Sequence, residues 1–144
     1  MTSVLNPQIL GQAENAHRAM LDKILGAYPG MTYQKWVGLT LTSGAGGELP
    51  REELLGRLGG ALKADPGTTS AAVTGLVANG LLEAGPTDSV RVTATGQERF
   101  RDIRSDVDGA MRMAYADISA QDMATAGRVL AQVTEQLNRV LAAA

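Results

Sequence analysis

The stretch Thr68–Phe100, TTSAAVTGLVANGLLEAGPTDSVRVTATGQERF, decides the fold of this chain. Its first part predicts a helix over Thr68–Asn79, because apolar residues recur there on one helical face. Gly80 follows, and glycine is the residue type that most readily adopts the left-handed conformation that closes a helix. Two short strands are then predicted at Leu81–Ala84 and Val90–Thr93, separated by a run of turn-forming residues.

The segment after the second strand predicts an immediate return to helix. Thr95–Glu98 fits a capping box, in which the threonine and glutamate side chains bind free amides at a helix start. A helix, a tight hairpin and a returning helix form the second half of a winged helix-turn-helix. Such a unit usually presents its first helix, the recognition helix, to a DNA groove.

The same residues resemble a known family. Residues 68–83 and 90–96 are similar to the MarR family of bacterial transcriptional regulators, in which a glycine-leucine pair ends the recognition helix and a wing leads to a threonine-x-x-glycine helix start. The resemblance covers nearly the whole chain, because the flanking helices also fall where the family has them. It implies a dimeric protein that binds double-stranded DNA and responds to a small aromatic or anionic effector.

Helices are predicted on both sides of the winged unit. The first covers about residues 7–28, the second covers about 32–41, and a third opens at Pro50. Two long helices end the chain, and Ser119 is a suitable cap for the last of them. The expected fold class is mainly α with a small β-hairpin, a winged helix-turn-helix plus terminal dimerisation helices.

The terminal helices carry apolar stripes that a monomer would leave uncovered. We expect one MarR-like domain over 1–144, with a reading head at 30–95 and a dimerisation region at 1–29 and 96–144. Two-fold symmetry would place two recognition helices about one DNA turn apart, ~34 Å, facing the half-sites of a pseudo-palindrome. A monomeric bundle of the same helices is the alternative. The stripe of the last helix consists of Met123, Leu130, Val133, Leu137 and Val140.

The recognition helix offers small polar side chains for base contact. No lysine or arginine lies between Lys63 and Arg91, so this helix lacks the bidentate arginine that best reads guanine. The family often has a basic residue about where Ala71 or Gly75 stands. A surface helix solubilised by threonines is the alternative interpretation. The candidates for base contact are Thr68, Thr69, Ser70, Ala71 and Thr74.

Basic residues near this helix are the candidates for contact with the DNA backbone. The family's wing carries paired arginines, whereas Arg91 is the single basic residue of this wing, and strand alternation predicts that it points to solvent. Arg51, Arg57 and Lys63 lie on or just after the third helix and are candidates for phosphate contact. Neighbouring acidic residues offer the alternative of ordinary surface pairing.

Aromatic and methionine residues cluster near the first two helices and on the fifth. Amphipathic rings, flexible methionines and one imidazole suit an apolar ligand with a polar head. Packing in the core or the dimer is the alternative, because such stripes at helical spacing are usually core. The expected ligand-pocket residues are His17, Met20, Tyr28, Tyr33, Trp36, Met111 and Tyr115.

Composition excludes several other classes. Hydrophobic residues make up 44 % and charged residues 19 % of the 144 residues, which is typical of a globular protein. With no cysteine and one histidine, the usual nucleophile–base pairs and multi-histidine metal sites are excluded, so we expect no enzyme, cofactor or metal. No apolar run approaches the ~20 residues that span a bilayer, and no signal peptide precedes the first helix, so a cytoplasmic location is expected.

Two functions fit these features. The first is a MarR-like transcriptional regulator, a repressor that occupies a pseudo-palindromic operator until an effector releases it. The second is a winged-helix dimer that has lost DNA reading and serves as a small-molecule-binding or protein-interaction module. The net charge of −2 and the arginine-free recognition helix motivate the second, because DNA-binding domains usually carry a basic footprint.

Overall fold

The computed structural model describes residues 3–144, in which six helices and three short strands form. The predicted fold class, mainly α with a small β unit, is confirmed. Two compact units are present, one ending at Asp108 and the other covering Gly109–Ala144. The helices are α1 (Pro7–Leu25), α2 (Tyr33–Gly44), α3 (Arg51–Leu62), α4 (Pro66–Ala78), α5 (Ala94–Ala114) and α6 (Ala120–Ala143), and the strands are β1 (Glu48–Pro50), β2 (Leu82–Ala84) and β3 (Ser89–Val92).

The first unit has a dense apolar core. Its centre is built where α2, α3 and α4 meet, since each supplies leucines with no exposed surface. The sheet and the first half of α5 close this core from the other side, through Val90 and Ile103 among others. Burial of this kind fixes α4 against its neighbours, because each fully buried leucine contributes about 2 kcal/mol of hydrophobic free energy. The fully buried apolar side chains at the centre are Leu39, Leu54, Leu58, Val73 and Leu76.

The sheet has three antiparallel strands in the order β1-β3-β2, one more than the sequence predicted. In β1, Leu49 faces the core and is paired with Val90 of β3, while its two neighbours are exposed. Pro50 ends β1 at the sheet edge, where a missing backbone N–H is tolerated. Three residues are too few to show an alternating pattern, and this is why β1 escaped sequence analysis.

The predicted capping box at Thr95–Glu98 is wrong by two residues. The cap of α5 is Thr93, whose hydroxyl oxygen accepts a hydrogen bond from the Gly96 amide at 2.9 Å. The same hydroxyl donates to the Gly80 carbonyl at 2.6 Å, so one side chain joins the start of α5 to the turn after α4. Two threonines stand within three positions of one another, and the pattern alone selected the wrong one.

Gly96 allows α5 to pass very close to the chain that follows α4. A Cβ at this position would stand 2.1 Å from the Leu81 carbonyl oxygen and 2.8 Å from a Val92 methyl carbon. No side chain larger than hydrogen fits there without moving backbone. The threonine-x-x-glycine pattern therefore consists of a cap, Thr93, and a close-approach glycine, Gly96.

The two terminal helices bury little surface of their own. In α1, Leu25 is the buried residue, and in α6 no described residue is buried. Both helices begin at a side-chain cap, with Asn6 accepting from the Ile9 amide and Ser119 accepting from the Asp122 amide. Among the described residues, no helix is long and apolar enough to cross a membrane.

Candidate nucleic-acid interface

Helix α4 has one buried and one exposed face. Ala72, Val73 and Leu76 point into the core, which holds the helix at a fixed rotation. The opposite face is open to solvent along its length. The exposed residues predicted to contact bases are Thr68, Ser70, Ala71 and Thr74.

Thr69 differs from the other residues predicted to contact bases, because it is buried with 2 % of its surface exposed. Its hydroxyl donates to the Pro66 carbonyl oxygen at 3.1 Å and so is occupied inside the first turn. The reason is that α4 begins at Pro66, two residues earlier than expected, with Asp65 as its cap. An aspartate followed by proline is a recognised helix start, so the sequence contained the signal.

Asp65 places a negative charge at the start of α4. Its carboxylate accepts a hydrogen bond from the Thr68 amide at 2.8 Å, and this bond lowers the pKa of the Asp65 side chain below its ordinary value. A lowered carboxylate pKa contributes stability that is present above the ordinary value and lost as the pH falls through the shifted one. The cap therefore stays charged at neutral pH, beside the residues proposed to meet DNA.

Two clefts border α4. One, of about 320 Å³, lies between α4 and the start of α2. The other, of about 440 Å³, lies between α4 and α3. Helix α4 therefore forms one side of each cleft, and α2 or α3 forms the other side. The first is lined by Thr32, Gln34, Lys35, Thr68, Ala71 and Ala72, and the second by Glu52, Leu55, Gly56, Gly59, Ala64, Pro66, Thr69 and Ser70.

The wing is a tight turn between β2 and β3. Thr87 and Asp88 both have a φ of 55°, the positive values at both central residues that a type I′ hairpin turn requires. The Ser89 amide donates to the Pro86 carbonyl oxygen at 3.2 Å and closes the turn. The wing is thus a short turn that extends little beyond the sheet.

Arg91 is exposed, as predicted, but its charge is already paired. Its Nε donates to Glu83 Oε1 at 2.9 Å across the β2–β3 pair. Glu48 is its register partner on the other side, in β1. The wing arginine therefore lies between two glutamates, and this arrangement offsets the positive potential that a DNA phosphate would need.

The three other basic residues predicted to contact DNA phosphates differ in their surroundings. Arg57 forms an ion pair with Glu53 at 3.2 Å, so the alternative of ordinary surface pairing holds for it. Arg51 is half-buried, and its backbone amide donates to the Asp88 carbonyl at the base of the wing. Lys63 is exposed, and its ammonium donates to the Gly60 carbonyl oxygen at 3.0 Å.

Lys35, on α2, was missed by sequence analysis and lies against α4. Its ammonium nitrogen donates to the Gly30 carbonyl at 2.8 Å and to Asn79 Oδ1 at 3.0 Å, where α4 ends. A Cβ built on Gly75 would meet Lys35 Cε at 2.5 Å. Lys35 can lie there because residue 75 is a glycine, and the two residues are 40 positions apart in the sequence. No local sequence pattern therefore reveals the contact.

The predicted ligand-pocket residues of the first unit differ in exposure and in their contacts. Trp36 lies in the core with 7 % exposure and is stacked on Phe100, with ring centroids 5.4 Å apart. Tyr33 lies under the guanidinium of Arg18, whose Cζ is 3.5 Å from the ring centroid. His17 and Met20 are exposed on α1, and Nδ1 of His17 donates to the Ala13 carbonyl at 2.9 Å.

Tyr28 is bound to α5 through its hydroxyl. It donates to Asp106 Oδ2 at 2.6 Å, and this hydrogen bond, with a smaller contribution from burial, raises the pKa of Tyr28 to about 12. Its raised pKa means that the neutral phenol contributes stability below pH 10, which is lost as the pH rises toward 12. Tyr28 is therefore a neutral hydrogen-bond donor throughout the physiological range. Met111 and Tyr115, the remaining predicted pocket residues, belong to the second unit.

The fold of this chain is similar to that of several solved structures. No family model and no curated protein matches the sequence. Among solved structures, a MarR family transcriptional regulator from Silicibacter pomeroyi DSS matches with a TM-score of 0.77 at 21 % identity, over 90 % of this chain and 87 % of that one. NadR in complex with 4-hydroxyphenylacetate matches with a TM-score of 0.74 at 20 % identity, over 91 % and 96 % of the two chains.

The reduced form of MarR from E. coli also matches, with a TM-score of 0.67 at 17 % identity, over 92 % of this chain and 95 % of that one. Identities at this level establish the fold alone. The chain has a MarR-like winged helix fold, as the resemblance of its residues predicted.

Proposed function

We propose that this chain is a transcriptional regulator that binds a pseudo-palindromic DNA operator as a homodimer and acts as a repressor. The observation that carries the proposal is the two-faced α4. One side is fixed in the core by Val73 and Leu76, and the other exposes small side chains without obstruction. A helix held in this way can enter a major groove without rearranging.

The exposed face of α4 suits a modest sequence preference. Thr68, Ser70 and Thr74 carry hydroxyls, which donate to or accept from any base, and the Ala71 methyl suits contact with a thymine methyl. None of these gives the discrimination of a bidentate arginine. We therefore expect DNA shape and deformability to supply much of the specificity.

Contacts with the DNA backbone would come from basic side chains near α4 and in the wing. Lys63 lies between α3 and α4, Arg51 lies at the base of the wing, and Arg57 would contact phosphate only by exchanging Glu53 for it. Arg91 would likewise have to leave Glu83 to enter a minor groove. An exposed ion pair of this kind contributes about 0–1 kcal/mol, so a nearby phosphate can replace the carboxylate.

The homodimer is supported by the apolar residues of the terminal helices. A second copy of the chain is the partner that two-fold symmetry provides for such a surface. In this proposal, residues 1–29 and 96–144 form the dimerisation region, and the two reading heads are held about one DNA turn, ~34 Å, apart. The exposed apolar residues of α6 are Leu130, Leu137, Val140 and Leu141, with exposures of 38–64 %.

An effector that changes the separation of the reading heads would release the operator, provided that it binds one arrangement better than the other. NadR, of similar fold, holds 4-hydroxyphenylacetate, an aromatic acid, and this supports an aromatic or anionic effector. On this chain Arg18 offers a cation stacked on Tyr33, with its Nε buried and unpartnered within the described residues. His17, Met20 and Tyr28 stay candidate contacts, as do Met111 and Tyr115. A regulator of this kind acts in the cytoplasm and performs no catalysis.

Selection from a random duplex library tests the proposal. The purified protein is incubated with the library at low and then at physiological salt, and the retained DNA is sequenced. We expect an enriched pseudo-palindrome whose half-sites are separated by about one helical turn. Absence of enrichment at both salt concentrations would refute sequence reading.

A second function is favoured by specific observations in the wing and in α4. Arg91 is paired with Glu83, and α4 carries no lysine or arginine of its own. These features fit a winged-helix dimer that has lost DNA reading and binds a small molecule or another protein. Lack of affinity for any duplex at low salt would favour this function, whereas a steep loss of affinity with added salt would favour the regulator.

A further inference from the structure

The recognition helix, α4, has no basic residue of its own, but a lysine from another helix packs against it. Helix α4 contains no lysine or arginine, and Lys35 of α2 extends across it at Gly75. The stem of the lysine occupies the space that a side chain at position 75 would fill, 2.5 Å from the position of a Cβ. The absence of a side chain at Gly75 is what allows the lysine to lie there.

The charge of Lys35 is not neutralised. Its two hydrogen-bond partners, the Gly30 carbonyl and the Asn79 side-chain amide, are uncharged oxygens. Within residues 3–144 it forms no ion pair, in contrast to Arg57 and Arg91. An ammonium has three N–H donors, and these two bonds leave one for a further acceptor.

The surroundings of Lys35 fit an anionic group. The lysine lines the cleft of about 320 Å³ between α2 and α4, together with Thr32, Gln34 and Thr68. These three are polar, the other two lining residues are alanines of α4, and no aspartate or glutamate lines the cleft. The cleft therefore combines one positive charge with neutral polar side chains at the edge of the exposed face of α4.

We propose that Lys35 binds a phosphate of the DNA backbone beside α4, as a substitute from α2 for the basic residue that α4 lacks. The inference rests on the proposed function, since it needs DNA at this face. A phosphate is favoured over a base because the ammonium is held by Gly30 and Asn79 and is a point charge without the planar fork that reads base edges. Lys35 therefore positions the protein on DNA and reads no sequence.

The salt dependence of DNA binding distinguishes a phosphate contact by Lys35 from a purely structural role of this residue. Each phosphate contact adds about 0.9 to the slope of log K against log salt, so two copies of Lys35 in a dimer add about 1.8. We expect Lys35→Gln to lower the slope by that amount on any duplex, whereas Lys35→Arg keeps it. Lys23→Gln, an equal change of charge in the last turn of α1, is the control; with its dimer shown to be intact by sedimentation velocity, it should leave the slope unchanged.

A measurement on the unaltered protein accompanies the variants. Lys35 should react more slowly with an amine-acetylating reagent when duplex DNA is present, as measured by mass spectrometry, and Lys23 should react at the same rate. Weaker binding by Lys35→Gln with an unchanged slope, or no protection by DNA, would overturn the inference and leave the regulator intact. If the wild-type protein binds no duplex at low salt, both the inference and the proposed function are wrong.

Discussion

The reading head and helix α6 use apolar residues in opposite ways. In the reading head, Leu39, Leu54 and Leu58 have no exposed surface, and the helices that carry them are held by one another. In α6, Leu137 and Val140 are 52 % and 64 % exposed, and no residue of the helix is buried. The first region is completed by its own chain, whereas the second has apolar surface suited to another copy.

The difference indicates which interactions decide stability and which decide assembly. Substitutions in the core of the reading head should change the free energy of unfolding equally at every protein concentration. Substitutions on the apolar stripe of α6 should act through the dimer, so their effect should depend on concentration. Each prediction below tests one side of this comparison.

The largest effect is expected from Gly96→Ala, at the glycine whose added Cβ would stand nearest to another atom. The added methyl group would overlap the Leu81 carbonyl oxygen, 2.1 Å away, and backbone would have to move. We expect a loss of ~3 kcal/mol in the free energy of unfolding, the upper range for an overpacked site. Urea denaturation, repeated over a hundredfold range of protein concentration, measures it.

Gly60→Ala is the matched control for that substitution. Gly60 lies in α3, and a Cβ there meets nothing within 4 Å. Alanine favours helix over glycine by ~1 kcal/mol, so this variant should gain stability. If both alanine variants changed stability by the same amount, the close approach at Gly96 would have no energetic role.

A smaller effect, on assembly, is expected from Leu137→Asp. A charge in the apolar stripe would have to be desolvated in the dimer, so we expect the dissociation constant to rise about 100-fold, or ~2.7 kcal/mol. Sedimentation velocity measures the change, and operator binding should weaken with it. Gln132→Asp is the control, on the α6 face that carries Arg128 and the Glu135–Arg139 pair. A stable Leu137→Asp dimer would remove α6 from the interface.

Sequence analysis predicted the elements that have long periodic patterns. The helices of the chain, the wing strands and the Ser119 cap were anticipated because each depends on residues close together in sequence. Strand β1 was missed because its pairing with β3 joins Leu49 to Val90, 41 residues further along the chain, and only this tertiary contact makes it a strand. The choice of Thr93 over Thr95 likewise depends on the Gly80 carbonyl, which local sequence does not place.

The candidate site was predicted less completely than the fold. The exposed side of α4 followed from periodicity, except at Thr69, which an earlier helix start turns inward. Pairing of Arg91 with Glu83 required the strand register, and the position of Lys35 on Gly75 required the packing of α2 on α4. Charge partners and cations supplied by another helix are long-range properties, so composition and spacing did not reveal them.

The smallest effect, and one of opposite sign, is expected from Lys63→Gly at the end of α3. Lys63 has a φ of 52°, in the left-handed region that disfavours residues with a Cβ. Glycine adopts this conformation freely, so the variant should gain about 1 kcal/mol in the free energy of unfolding. Because the turn is completed within the reading head, the gain should be the same at all protein concentrations, as measured by urea denaturation. A gain that grew with concentration would place this turn in the dimer interface and contradict the division between the two regions.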